Sequence, residues 1–266
     1  MLTKAANDWW TEEYGFFGNF YMEGDNSVEG YLERNPQSLD ERTATEANGV
    51  YKILGCKPGE KLLDCPCGYG RHSNYLCQKG LDVVGADINS VHLGRAVEAA
   101  KRRQLSTRFV KKNMIDIDYK NEFNYVINMF YSFGFFATDE ENFRVLKNFY
   151  NALKPRGKFL MHTDVNVPRI ISNRYKFDEN RALDSGNNLR IIDEYDQETK
   201  RIEGRWIIRN AGGEEVERDY SVRVYTKEEF EQMCFDAGFS KVETYSEWTG
   251  DTYYEDSEDM IVVATK

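Results

Sequence analysis

Lys61-Leu62-Leu63-Asp64-Cys65-Pro66-Cys67-Gly68-Tyr69-Gly70-Arg71-His72-Ser73 is the stretch whose reading decides the fold. An apolar run enters an acid, a glycine-flanked turn follows, and a helix is expected to start after the turn. Roughly 20 residues further on, the distance that separates a nucleotide-binding turn from its ribose carboxylate, a second run, Leu81-Asp82-Val83-Val84-Gly85-Ala86, ends on Asp87. Strand, turn, helix, strand and acid in that order lay out a pocket at the carboxyl edge of a parallel sheet.

Two ligand chemistries suit such a turn. A dinucleotide wants Gly-x-Gly-x-x-Gly or Ala, so that a helix N-terminus can close on the pyrophosphate. Here Ser73 holds the third small position, which alone does not exclude NAD and a nicotinamide oxidoreductase. Asp64 weighs more, because an acid at the strand end repels a pyrophosphate and suits a cationic amino group. S-adenosylmethionine carries an α-amino group and a sulfonium, and no phosphate. Asp64-Cys65-Pro66-Cys67-Gly68-Tyr69-Gly70 resembles the first motif of the class I S-adenosylmethionine-dependent methyltransferases, acid-x-Gly-x-Gly-x-Gly, with Pro66 in place of its first glycine. From about Asp40 onward the chain looks like the bacterial small-molecule members of that class. The supporting landmarks are Gly85-Ala86-Asp87, Asn128 to Gly134, Leu153-Lys154-Pro155-Arg156-Gly157, and Val224-Tyr225-Thr226 with Ala237-Gly238-Phe239.

Outward from the motif, Leu39–Leu54 reads as a helix, with Ser38 as N-cap and Glu41 at capping-box spacing. Strands are expected at Lys61–Cys65, Asp82–Ala86, Thr107–Lys111, Phe123–Met129 and Lys158–Thr163, and helices at Ser73–Gln78, Ser90–Arg103 and Glu140–Leu153. Such alternation over short links gives an α/β fold with a doubly wound, mostly parallel sheet. The character then changes. Leu189–Asp196, Arg201–Arg209 and Glu215–Tyr225 are strand-like runs joined by polar turns, an antiparallel meander inserted after strand five. Thr226–Ala237 returns to helix, and Lys241–Ser246 with Met260–Thr265 make the closing hairpin of the seven-stranded sheet that the resemblance implies. Residues 1–37, crowded with Trp9, Trp10, Tyr14, Phe16, Phe17, Phe20, Tyr21 and Tyr31, are either a helical pair packed on the core or a lid over the ligands. The domain boundaries follow: 1–37 as an aromatic lid, 38–165 with 226–266 as the core, and 166–225 as an inserted cap over the acceptor that could also pair two copies into a homodimer.

At 266 residues the chain is long enough for one large core domain with an elaboration. Its 45 acids against 35 bases leave a net charge of −10 without a long basic run, which argues against a nucleic-acid substrate. Five scattered cysteines do not suggest a disulfide framework. Cys65 and Cys67 are too close for a Cys-x-x-Cys metal pair, so no metal is expected. No apolar signal core or membrane-length run is present; the expectation is a soluble, cytoplasmic protein.

The resemblance implies that Asp87 holds both ribose hydroxyls and Ile88 packs on adenine. It also implies that Asn113 accepts from the adenine amino group where relatives carry an acid, and that Met114 covers the base. Asp64, Cys65, Gly68, Gly70, Met129 and Phe130 would line the methionine portion. The acceptor side is less defined. His162 and Asp164 close strand five at the ligand edge, His162 as candidate base and Asp164 as an acceptor contact. Tyr14, a second candidate catalytic residue, could reach the sulfonium or the acceptor from the lid, and Arg223 and Tyr225 could hold an acceptor carboxylate or phosphate. His72 reads as structural and His92 as a surface residue. The expected reaction is methyl transfer from S-adenosylmethionine, leaving S-adenosylhomocysteine, to nitrogen or oxygen of a small soluble metabolite. A non-catalytic cofactor-binding subunit and a protein or RNA methyltransferase stand as alternatives.

Overall fold

The computed structural model describes residues 9–11, 15–25, 38–130 and 132–266. Its frame is a seven-stranded sheet: β1 (Lys61–Asp64), β2 (Asp82–Asp87), β3 (Arg108–Lys111), β4 (Phe123–Asn128), β5 (Leu153–Thr163), β10 (Lys241–Tyr245) and β11 (Met260–Thr265), ordered β10-β11-β5-β4-β1-β2-β3. Pairing is parallel except at β11, which runs against both β5 and β10. The inner strands are apolar on both faces, as a sheet covered on both sides requires, while the edge strands β3 and β10 carry polar and partly exposed residues. Leu63, Val84, Val126, Phe159 and Val262 face one helical layer, while Leu62, Val83, Ile127, Leu160 and Ile261 face the other.

The helices on the second face are α2 (Leu39–Leu54) and α3 (Arg71–Gln78), with Val50, Leu54 and Leu76 in that core. Ser38 and Glu41 form the expected reciprocal capping box, and Gly55 ends α2 in the left-handed region at φ 70°. On the first face lie α5 (Asp139–Ala152) and α7 (Lys227–Ala237), which contribute Leu146, Phe149, Phe230 and Cys234. The remaining core helix, α4 (Ser90–Arg102), is capped by Asn89, whose side chain accepts from the amides of Val91 and His92.

Between β5 and α7 lie a short helix, α6 (Val167–Ile171), and a second sheet of β6 (Asp178–Ala182), β7 (Asn188–Asp196), β8 (Arg201–Arg209) and β9 (Glu215–Arg223), antiparallel in the order β6-β7-β8-β9. The expected three-run meander therefore has four strands, and its last ends at Arg223 rather than Tyr225. β5 also starts earlier than expected, at Leu153, because that residue already pairs with Phe123. The N-terminal segment contributes α1 (Asn19–Asp25), whose Gly24 lies against the Trp206 ring; a Cβ there would stand 2.4 Å from it. The five cysteines are buried free thiols. Among the described residues, no helix is long and apolar enough to cross a membrane.

Candidate functional site

The chain order of the sheet reverses between β1 and β4, so their carboxyl ends open a crevice. Two cavities meet there. The first is lined by Pro66, Cys67, Gly68, Tyr69, Asp87, Ile88, Asn89, Asn113, Met114, Met129 and Phe130, and is closed from the N-terminal side by Trp9, Phe17 and Tyr21. Gly68 sits at φ 52° with no atom within 4 Å of where a Cβ would stand, so the turn leaves a cradle beside its backbone. Gly70 serves packing instead. At φ 76°, its Cβ would stand 2.7 Å from that of Ala96 and 2.9 Å from the Phe109 ring, so only glycine lets α3 and α4 approach.

Asp87 ties the turn to the second strand. Its Oδ2 accepts from the Gly68 amide at 2.8 Å and its Oδ1 from the Asn89 amide at 2.8 Å. Burial raises its carboxyl above the ordinary range against those hydrogen bonds. Asn113 lines the cavity as expected, but its Oδ1 already accepts from the Ile115 amide at 3.2 Å, capping a one-turn 3-10 helix, Met114–Asp116. A carbonyl oxygen has a second lone pair for another donor. Asp64, Cys65 and Gly70 lie behind the wall rather than on it. The Asp64 Oδ2 accepts from the Ser73 hydroxyl at 2.5 Å, and burial pushes its carboxyl up to about 7.

The reading of His92 as a surface residue needs correction. It is buried, lines the first cavity, and its Nε2 lies 3.4 Å from the Gly18 carbonyl oxygen. That contact spans 74 residues, so local periodicity carries no trace of it. His72 also lines this cavity. Its Nε2 donates to Glu46 at 2.7 Å, and burial lowers it to about 4, so the ring is neutral near pH 7.

The second cavity encloses about 800 Å³. It shares Phe17, Tyr21, Asp25 and Phe130 with the first. Phe130 is the pivot. It adopts φ 54°, a conformation costly for a bulky residue. The guanidinium groups of Arg42 and Arg71 lie 4.5 and 4.8 Å from its ring centre, and His162 meets it edge-on at 4.8 Å. Glu46 of α2, also buried, accepts from both arginines, which hold its carboxyl well below the usual range despite its burial.

The rest of this cavity is acidic and aromatic. Asp25, Glu46, Asp164, Glu179, Asp193, Glu247, Glu258 and Asp259 outnumber Arg42, Lys52, Lys176 and Arg181, among Phe16, Tyr21, Phe135, Tyr175, Trp206, Tyr220 and Trp248. Asp193 of β7 accepts from the hydroxyls of Tyr175 at 2.8 Å and Tyr220 at 2.5 Å, and burial raises its carboxyl to about 6. The structure brings His162 and Asp164 to this wall. It does not bring Arg223 and Tyr225, which line neither cavity. Arg223 pairs with Asp139 and Glu229. The Tyr225 hydroxyl donates to Asp139 at 2.6 Å and accepts from Asn142 at 3.1 Å. Both tie the segment before α7 to α5. Tyr14 and Tyr31 lie outside the described residues. Sequence reasoning missed the whole of the second wall contributed by Glu179, Arg181, Asp193, Trp206, Tyr220, Trp248 and Asp259.

Residues 62–157 match a family described as a methyltransferase domain. Glycine/sarcosine N-methyltransferase of Halorhodospira halochloris is 24% identical over 270 residues, covering 99% of this chain and 93% of the relative. Among solved structures, an S-adenosylmethionine-dependent methyltransferase from Clostridium acetobutylicum superposes with TM-score 0.72 at 13% identity, covering 93% of this chain and 99% of that one. CalS10, an amino pentose methyltransferase of Micromonospora echinaspora solved with S-adenosylmethionine bound, superposes with TM-score 0.61 at 20% identity, over 89% of this chain and 94% of that one.

Proposed function

We propose that the chain is a class I S-adenosylmethionine-dependent methyltransferase that methylates nitrogen on a small soluble amine. The observation that carries this reading is the junction of the two cavities at Phe17, Tyr21, Asp25 and Phe130, with an acidic, aromatic wall on the far side. A carboxylate-rich wall favours an acceptor that arrives as a cation. The relative named for N-methylation of glycine and sarcosine points the same way.

The cofactor, when bound, supplies a methyl group activated by a sulfonium. In our reading the residues of the first cavity hold it. Asp87 takes the ribose hydroxyls, Ile88 and Met114 flank the adenine, the Asn113 amide meets its amino group, and the Gly68 backbone passes close to the methionine portion, whose ammonium is attracted by the Asp64 carboxylate from behind the wall. The rings of Phe17, Tyr21 and Phe130 stand where a sulfonium would gain from aromatic faces. Much of the rate enhancement then comes from alignment of nitrogen, methyl and sulfur in a water-poor junction. An ammonium must lose a proton before its nitrogen can attack, and in this reading His162 takes it, with Asp164 holding the acceptor at the same wall.

Calorimetric titration with S-adenosylmethionine, S-adenosylhomocysteine and NAD should show binding of the first two alone. Mass spectrometry after incubation with panels of small amines, phenols and carboxylic acids should find the added methyl on an amine. Methylated phenols or acids, with amines untouched, would overturn the nitrogen assignment while leaving the cofactor assignment standing.

A further inference from the structure

We propose that Asp259 is the positioning residue for His162, and that the two act as an imidazole–carboxylate pair on the acceptor's proton. The inference rests on the amine reading above and adds a second, distant chain segment to the site.

His162 is 2% exposed, and neither ring nitrogen has a hydrogen-bond partner among the described residues. A buried polar group left unpaired is costly and calls for a reason. The ring is clamped, with Phe130 edge-on at 4.8 Å and Trp248 at 4.8 Å. The Asp259 Oδ1 lies 3.3 Å from Nε2, within ion-pair reach but without hydrogen-bond alignment. The pair is set by the sheet itself. Ile261 of β11 stands opposite His162, and Met260 opposite Thr163, so Asp259 precedes the ladder at the level where β5 ends.

The segment that carries Asp259 is anchored. The Ser257 hydroxyl donates to the Asp259 carbonyl at 2.8 Å, Asn166 donates to the Ser257 carbonyl at 2.8 Å, and the Tyr253 hydroxyl donates to the Asn166 side chain at 2.9 Å. A carboxylate carried on this anchored segment beside Nε2 favours the tautomer with the proton on Nε2, leaving the Nδ1 lone pair to act as the base. The steps balance. The N–H bond of the ammonium breaks, its electron pair stays on the acceptor nitrogen, and the proton goes to Nδ1. That nitrogen pair then forms the bond to the methyl carbon as the carbon–sulfur bond breaks and its pair returns to sulfur. The imidazolium formed is paired with Asp259.

A double-mutant cycle tests this. His162→Gln should lower kcat on the amine acceptor about 100-fold, and Asp259→Asn about tenfold. Asp259→Asn added to His162→Gln should cost nothing more, since the carboxylate acts only through the ring. Asp259→Glu should recover part of the loss, and Glu255→Gln, which removes a nearby charge outside both cavities, should leave kcat unchanged. Unchanged cofactor affinity in each variant shows that the fold is intact. Additive losses, or full kcat in Asp259→Asn, would overturn the proposal. Independently of turnover, the imidazole nitrogen resonances should report an Nε2-protonated ring in the wild type and lose that bias in Asp259→Asn; identical spectra would equally overturn it. Failure of the amine reading looks different, as wild-type protein that methylates no amine while the ring resonances still respond to Asp259→Asn.

Discussion

The first cavity draws much of its lining from short runs of neighbouring residues, Pro66 to Tyr69 with Arg71 and His72, Asp87 to Asn89 with His92, and Lys112 to Met114. The second collects single long side chains from α1, α2, the end of β5, the four-stranded sheet and the residues around Trp248 and Asp259. One site is specified by local spacing and the other by tertiary packing. That difference explains how a chain can keep its cofactor chemistry while its acceptor changes.

If the two walls are independent, variants should separate them. The largest effect is expected from Asp87→Ala. Loss of a charged acceptor for two hydroxyls, worth about 1.5 kcal/mol or more, should weaken S-adenosylmethionine binding at least about tenfold by calorimetry and leave the acceptor KM near its wild-type value. A matching rise in acceptor KM would show the walls to be coupled.

Next in size is a pH effect. Asp64 titrates at about 7 when folded and near 4 when unfolded. Between those values the unfolded chain has released a proton that the folded chain keeps, so this group makes the ligand-free protein less stable as pH rises from about 4 to about 7. A cofactor ammonium prefers the ionised carboxylate, so affinity should fall about tenfold from pH 8 to pH 6. Asp64→Asn should flatten this dependence; a wild-type slope retained in that variant would remove Asp64 from the cofactor's surroundings.

Tyr220→Phe takes one of two donors from the buried Asp193. One hydrogen bond of about 1 kcal/mol should raise the acceptor KM about fivefold and leave cofactor affinity alone. The smallest effect belongs to Tyr225→Phe, which loses the bond to Asp139. Thermal unfolding should report about 1 kcal/mol of lost stability, with both KM values unmoved, because the residue ties the segment before α7 to α5 and lines neither cavity.

The legibility of the sequence follows the same division. Ser38 and Glu41 located α2 to the residue because the capping signal is local, and the apolar runs located the parallel strands because both faces are covered. β6, Asp178-Glu179-Asn180-Arg181-Ala182, went unseen because an edge strand needs no apolar alternation. α6, at five residues, is shorter than a helical period can reveal. Asp64, Gly68, Gly70 and Asp87 were legible as one motif, yet only Gly68 and Asp87 reach the cavity surface. Arg223 and Tyr225 misled because their place in the chain, where the inserted sheet returns to the core, says nothing about which way they face.

The stretch Gly15–Asp25 touches both walls. Asn89 donates to the Phe17 carbonyl and Tyr69 to Asp25 on the cofactor side, while Ser185 and Asn187 hold Glu23 on the other. If the first cavity holds the cofactor and the second the acceptor, this shared border gives an expected order, in which S-adenosylmethionine should enter first, the methylated acceptor depart first, and S-adenosylhomocysteine leave last. Steady-state kinetics should accordingly be sequential and ordered, with S-adenosylhomocysteine competing against S-adenosylmethionine but not against the acceptor.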